Sequence, residues 1–181
     1  MTPTQTVTAL SVQSEELADL LFAASEDVFT SMLGCAIQRS PDPPMERTEP
    51  FDGVLSLIGL AGPVIGNGAL MCTAQSACDM SSRLLLSEFP NIDEQVLDSL
   101  GEITNMIVGG FKNLLEARTG PMQISIPSVV YGKNISTRNC HTEIIGGIDC
   151  TYEGGAFEVR VRLATARPNQ GGYPKKFEIR D

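Results

Sequence analysis

Gly53-Val-Leu-Ser-Leu-Ile-Gly-Leu60, then Ala61-Gly-Pro63, then Val64-Ile-Gly-Asn-Gly-Ala-Leu-Met-Cys72, is the stretch on which the fold turns. Two β-rich runs flank a turn containing Gly and Pro, and that chemistry spells a hairpin. Directly afterwards the period changes. Residues 74–86 put Ala77, Met80, Leu84 and Leu85 on one side of a helix, which Glu88-Phe-Pro90 ends. A longer helix is expected from near Asp93 to about Arg118, stopped by Gly120-Pro121. Strands are expected at 122–131, 142–152 and 156–165, with Gly-rich joints at 146–147 and 154–155. In the last of them Phe157, Val159, Val161 and Leu163 alternate with Glu158, Arg160 and Arg162, which predicts one solvated face. Upstream, residues 5–12 alternate weakly, as a first strand would. Leu17, Leu20, Leu21, Ala24, Val28 and Met32 then recur at helical spacing, with Ser14 as the expected N-cap and Gly34 as the stop. Residues 40–50 carry four prolines and read as a loop. Helices grouped with runs of adjacent strands, without strict β-α-β alternation, predict an α+β fold. The expected form is one mainly antiparallel sheet covered on one face by two or three helices. A single domain over 1–181 is expected, its core at about 13–166 and its ends peripheral.

Composition narrows the function. With 22 acidic against 13 basic residues the formal charge is −9, a field that repels phosphate backbones and offers no polybasic patch. Neither nucleic acid nor a membrane is an expected partner, and no apolar run approaches the roughly 20 residues that span a bilayer. The start of the chain has no Lys or Arg ahead of an apolar segment, so a secretory signal is not expected. The five cysteines, Cys35, Cys72, Cys78, Cys140 and Cys150, show no C-x-x-C spacing, and the single histidine is His141. That inventory suits a reduced, cytoplasmic protein and gives little material for a zinc site or a Ser-His-Asp triad.

Within the long helix, Asp98, Glu102, Asn105, Gly109 and Lys112 fall on one narrow stripe at about 100° per residue. Val96, Leu100, Ile103, Ile107, Phe111 and Leu114 form the expected core face. Asn is a poor mid-helix residue, and Gly109 and Gly110 each cost about 1 kcal/mol relative to Ala. A glycine one turn beyond Asn105 leaves that amide without a taller neighbour, as on a surface where another macromolecule lands closely.

Asp98-x-x-x-Glu102-x-x-Asn105, followed about twenty residues later by Pro127 at a strand start, resembles the signature of the CheX/CheC/FliY family. These are phosphatases of the phosphorylated chemotaxis response regulator CheY. The likeness extends to residues 21–33, similar to the first helix of CheX proteins, to 57–66, similar to their opening hairpin, and to 127–132. It covers roughly 15–165. Pro127 stands one residue nearer to Asn105 than in the family pattern, which a deletion in the turn at 119–121 would absorb. The first helix offers Asp19, Ala23 and Glu26 on a stripe but no E-x-x-N, so a single site of the CheX type is implied. The resemblance implies a CheC/CheX-like fold and a homodimer formed through sheet edges. It also implies a phosphorylated CheY-like partner carrying its own Mg²⁺, with no cofactor bound by this chain. Glu102 and Asn105 are the implied catalytic residues. A carboxamide donates and accepts hydrogen bonds but is no base, so Asn105 would orient the attacking water. Glu102 would meet the regulator's active-site Lys. Asp98, Gly109 and Pro127 would serve partner binding.

Other readings stay open at this point. The same fold could receive a response regulator as a scaffold without hydrolysing anything. Gly66-Asn-Gly68 could belong to a nucleotide module, although no Gly-Lys-Ser/Thr follows it. A cysteine enzyme built on Cys140-His141 is disfavoured, since neighbours on a strand point to opposite faces.

Overall fold

The computed structural model describes residues 12–42, 49–137 and 144–166. The element order is α1 (Ser14–Met32), β1 (Ile37–Arg39), β2 (Phe51–Ala61), β3 (Val64–Cys72), α2 (Ala74–Leu85), α3 (Glu94–Thr119), β4 (Gln123–Ile124), β5 (Ser128–Ile135), β6 (Ile144–Tyr152) and β7 (Gly155–Thr165). The strands form one antiparallel sheet in the order β1-β6-β7-β3-β2-β4, with β5 also on β2. Three helices cover one face, as the α+β reading expects. The possible strand at 5–12, most of the proline-rich loop, and the Cys140-His141 pair lie at least partly outside the described residues.

Local chemistry sets the helix ends. Asp93 caps α3 by accepting from the Val96 amide at 2.9 Å, and Thr73 caps α2 by accepting from the Ser76 amide at 3.1 Å. α1 starts at the expected cap itself: Ser14 is already helical, and Gln13 occupies the N-cap with no side-chain bond. Gly34 adopts φ +64° and ends that helix region without the Cβ penalty of the left-handed conformation. Leu86 caps α2 at φ 51° and ψ 41°, carrying that penalty in full while 90% exposed. Leu86→Gly is therefore expected to stabilise the fold by about 0.5–1 kcal/mol, since no buried contact is lost. A higher urea midpoint with an unchanged slope checks it.

The hairpin reading holds, with β2 and β3 paired from Leu60↔Gly66 to Val54↔Cys72. Its helix-facing side contributes Val54, Ile58, Leu60, Val64 and Leu70 to the main core. α3 comes close to the sheet at Gly68, where an added Cβ would lie 2.7 Å from Val108. The Gly66-Asn-Gly68 run is thus strand that lets a helix approach, and the nucleotide-module reading fails there. α1 joins the same core through Phe29, which stacks on Phe157 at 4.4 Å between centroids and meets Tyr152 edge-on at 5.3 Å.

Several expectations are corrected. Met32 and Leu114 are about half exposed, and Leu33 and Leu115 take the core positions beside them. The expected strand 122–131 is two strands, β4 and β5, and the second continues to Ile135. Between Leu60↔Ile124 and Leu57↔Ser128, β2 advances three residues while its partner advances four. The extra residue makes a bulge at Ile126-Pro127. Pro127 has no N–H to give the ladder, so the interruption falls at that position. The solvated face expected of β7 is also wrong, because Arg160 and Arg162 are only 4% and 8% exposed. Arg160 donates to the Ile148 carbonyl at 2.7 Å and the Val159 carbonyl at 3.1 Å, and pairs with Asp149 and Glu158. Beside it Leu55, Ala69 and Met71 form a second small core with Phe51, Leu57 and Ile135.

Candidate functional site

α3 is buried along Val96, Leu100, Ile103, Ile107 and Phe111, which holds its backbone rigidly against β2, β3 and β5. The opposite stripe is thereby presented at the edge of the sheet. Asp98 and Glu102 are exposed, and Asn105 is half-buried. Glu102 and Asn105 are three residues apart, so their Cβ atoms are neighbours at about 5–6 Å. Among the described residues, neither side chain takes a hydrogen bond or an ion pair. Both are free to engage something brought to them.

The two other members of the stripe are placed differently from Glu102 and Asn105. Lys112 is spent internally: its Nζ donates to Glu116 Oε1 at 2.9 Å and to the Met122 carbonyl at 3.5 Å. Glu116 Oε1 also accepts from the Met122 amide at 2.7 Å. That amide, and then Lys112, hold the Glu116 carboxyl below its ordinary pKa. The cluster closes the turn after α3 and belongs to the fold. Gly109 is half-buried, and an added Cβ would sit at an ordinary 3.7 Å from Ile124. Packing does not require glycine there. Gly110, in contrast, lets α1 approach, since its Cβ would lie 3.3 Å from that of Ala24.

Pro127 lodges against α3 at Gly101, where an added Cβ would stand 3.3 Å from the Pro127 ring. Glu94, Leu97, Asp98, Gly101, Glu102, Pro127 and Val129 line an open groove of about 560 Å³. Asp98, Glu102 and Pro127 are thus brought together, and Asn105 stands one turn along the helix, outside the groove lining. The residues reading the sequence missed are Gly101, which seats the proline, and Ile126, the exposed residue of the bulge. A proline inside an apparent strand was the available signal for both. A larger hollow of about 750 Å³ lies elsewhere, between the start of α1, residues 39–42 and the β6–β7 pair. It contains neither Glu102 nor Asn105.

No three His, Cys, Asp or Glu side chains come together as a metal site among the described residues. Cys35, Cys72, Cys78 and Cys150 are free thiols. Burial pushes Cys72 and Cys150 up to about 12, which keeps them protonated and poor nucleophiles. No described helix is long and apolar enough to cross a membrane. Among the described residues, Glu102 and Asn105 thus offer a carboxylate and a carboxamide, unengaged, on an open side of α3. Such a surface suits a reacting group carried by another macromolecule better than a small ligand, which needs enclosure.

Solved structures share this fold. Chemotaxis protein CheX from Vibrio vulnificus is 24% identical, with 84% of this chain and 99% of that one covered at a TM-score of 0.70. CheX from Desulfovibrio desulfuricans is 23% identical, with 82% and 99% covered at 0.73. The CheX of a CheX–CheY–BeF₃–Mg²⁺ complex from Borrelia burgdorferi is 24% identical, with 81% and 96% covered at 0.66. No curated protein sequence matches the chain significantly. Residues 54–150, a span that includes the β2–β3 hairpin, all of α3 and the Pro127 bulge, match the family described as chemotaxis phosphatase CheX. That match covers more than half of the sequence, and the chain belongs to the CheX family.

Proposed function

We propose that this protein hydrolyses the aspartyl phosphate of a phosphorylated CheY-type response regulator in bacterial chemotaxis. The observation that carries the reading is the Glu102/Asn105 pair, unengaged by any described residue and displayed one helical turn apart on α3. Membership of a chemotaxis phosphatase family supports it, as does a CheX relative seen with CheY, BeF₃ and Mg²⁺.

An acyl phosphate needs little covalent help. Water attacks phosphorus in line, the bond from phosphorus to the Asp carboxylate oxygen breaks, and inorganic phosphate leaves with the proton count of the water. The partner's Mg²⁺ neutralises the phosphoryl oxygens, so the phosphatase contributes orientation. Asn105 accepts from the water with its carbonyl and steadies the developing charge with its amide, leaving no proton to be stored on α3. Glu102 pairs with the receiver's active-site Lys and so fixes the register that puts Asn105 in line. Asp98 extends that acidic edge, while Pro127 and Gly109 shape the surface that the receiver meets. A homodimer through the sheet edge is part of the same proposal. Val130 and Tyr131 are exposed on β5, at one end of the sheet. Sedimentation velocity tests that assembly.

The test of the function is the decay of an acetyl-phosphate-charged CheY-type receiver with Mg²⁺, alone and with this protein. Faster decay is expected. Binding with an unchanged phosphate lifetime would replace the phosphatase with a receiver-binding scaffold. Glu102→Gln is expected to raise KM about tenfold with a smaller effect on kcat, since one charge-assisted contact to the partner is lost. The gap between wild type and variant should narrow as salt rises, and a gap indifferent to salt would count against a Lys partner.

A further inference from the structure

We infer that Ile126 is an apolar anchor for the receiver, holding an apolar patch beside its phosphorylated Asp. The inference rests on the phosphatase reading above and names a contact outside the Glu102/Asn105 pair. Ile126 is 86% exposed, in the bulge between β4 and β5. Its backbone is tightly held on both sides. Ser125 donates its amide to the Gly59 carbonyl at 2.9 Å, and its hydroxyl accepts from the Gly59 amide at 2.9 Å while donating to the Ile126 carbonyl at 2.8 Å. On the other side the Pro127 ring is seated on Gly101. Such a knob loses little conformational entropy on association.

Chain order places it between two contacts with the helix that carries the proposed reacting residues. α3 meets this strand at two points, Gly101 against Pro127 and Val129, and Gly109 against Ile124. Between those contacts lie Glu102 and Asn105 on the helix, and Ser125 and Ile126 on the strand. The helix covers only about 12 Å from Gly101 to Gly109. A protein partner in a standard interface occupies about 800 Å² on each side, a footprint wider than that interval. A receiver that brings its phosphoryl group to Asn105 therefore also covers Ile126. An isoleucine so exposed adds nothing to the core, and its burial on docking is worth about tenfold or more in affinity.

The experiment measures KM and kcat for decay of the phosphorylated receiver, and Kd for the receiver loaded with BeF₃⁻ and Mg²⁺. Each CheY-type receiver of the organism that encodes the chain is used as the probe. Ile126→Ser is expected to raise KM and Kd about tenfold with kcat unchanged, and Ile126→Val to retain most of the affinity. Ile65→Ser, at a half-exposed isoleucine on the opposite face of the sheet, is the control and should change neither constant. Matching melting curves exclude a folding defect. If wild type accelerates decay and Ile126→Ser leaves KM and Kd within twofold, the anchor is wrong and the phosphatase reading stands. If wild type binds without accelerating decay, the phosphatase reading falls and Kd alone decides on the anchor. If no receiver binds or decays faster, both fall.

Discussion

Asn105→Ala is expected to lower kcat for receiver dephosphorylation by about 10²–10³ while leaving KM nearly unchanged. The size follows from removing one preorganised hydrogen-bonding group aimed at the reacting atoms, which costs about 2.7–4 kcal/mol of transition-state stabilisation. The split between constants follows from the proposed role, because an interaction made only with the attacking water is absent from the ground-state complex. The structure makes the variant a clean one. The Asn105 side chain has no partner among the described residues, so truncation orphans no buried group. Alanine is also the better helix former, so the fold should gain slightly if anything. Asn105→Asp should be as inactive, for a different reason, since it sets a negative charge against the phosphoryl oxygens. Single-turnover decay at saturating protein checks both variants. An Asn105→Ala protein within threefold of wild type would remove Asn105 from the reaction.

Arg160→Ala should have the largest effect on stability, about 3 kcal/mol. The guanidinium is almost wholly buried and bonds two carbonyls and two carboxylates. Removing one partner of a buried ion pair costs about 3–5 kcal/mol, because the remaining charge is stranded. Asp149 retains access to water, with 38% of its side chain exposed, and this argues for the lower end. Arg160→Met keeps the apolar stem over Ala69 and should cost distinctly less than alanine. Urea midpoints of the three proteins, with slopes compared, measure the ordering. A loss below about 1 kcal/mol for alanine would mean that Arg160 is a surface residue in solution, as its alternation with Phe157, Val159 and Val161 first predicts.

The sequence by itself determined most of what is local. Asp93 and Gly120 bound α3 within a residue or two of expectation, because capping chemistry acts over one helical turn. The β2–β3 hairpin follows from the turn at Gly62-Pro63 and the β-rich runs on either side. The shared face of Asp98, Glu102 and Asn105 follows from 3.6 residues per turn and needs no partner element to establish it. What failed was of another kind. Periodicity shows that the two faces of β7 differ, but only the second core of Leu55, Ala69 and Met71 and the carboxylates of Asp149 and Glu158 make the arginine face dry. Likewise the strand pattern of 122–131 hides its bulge until β2 supplies the register against which one residue is extra. Gly101 beneath Pro127, and Ile126 held out in the bulge, exist only through that pairing. Burial and register are relations between segments far apart in the chain, and no run of neighbouring residues contains them.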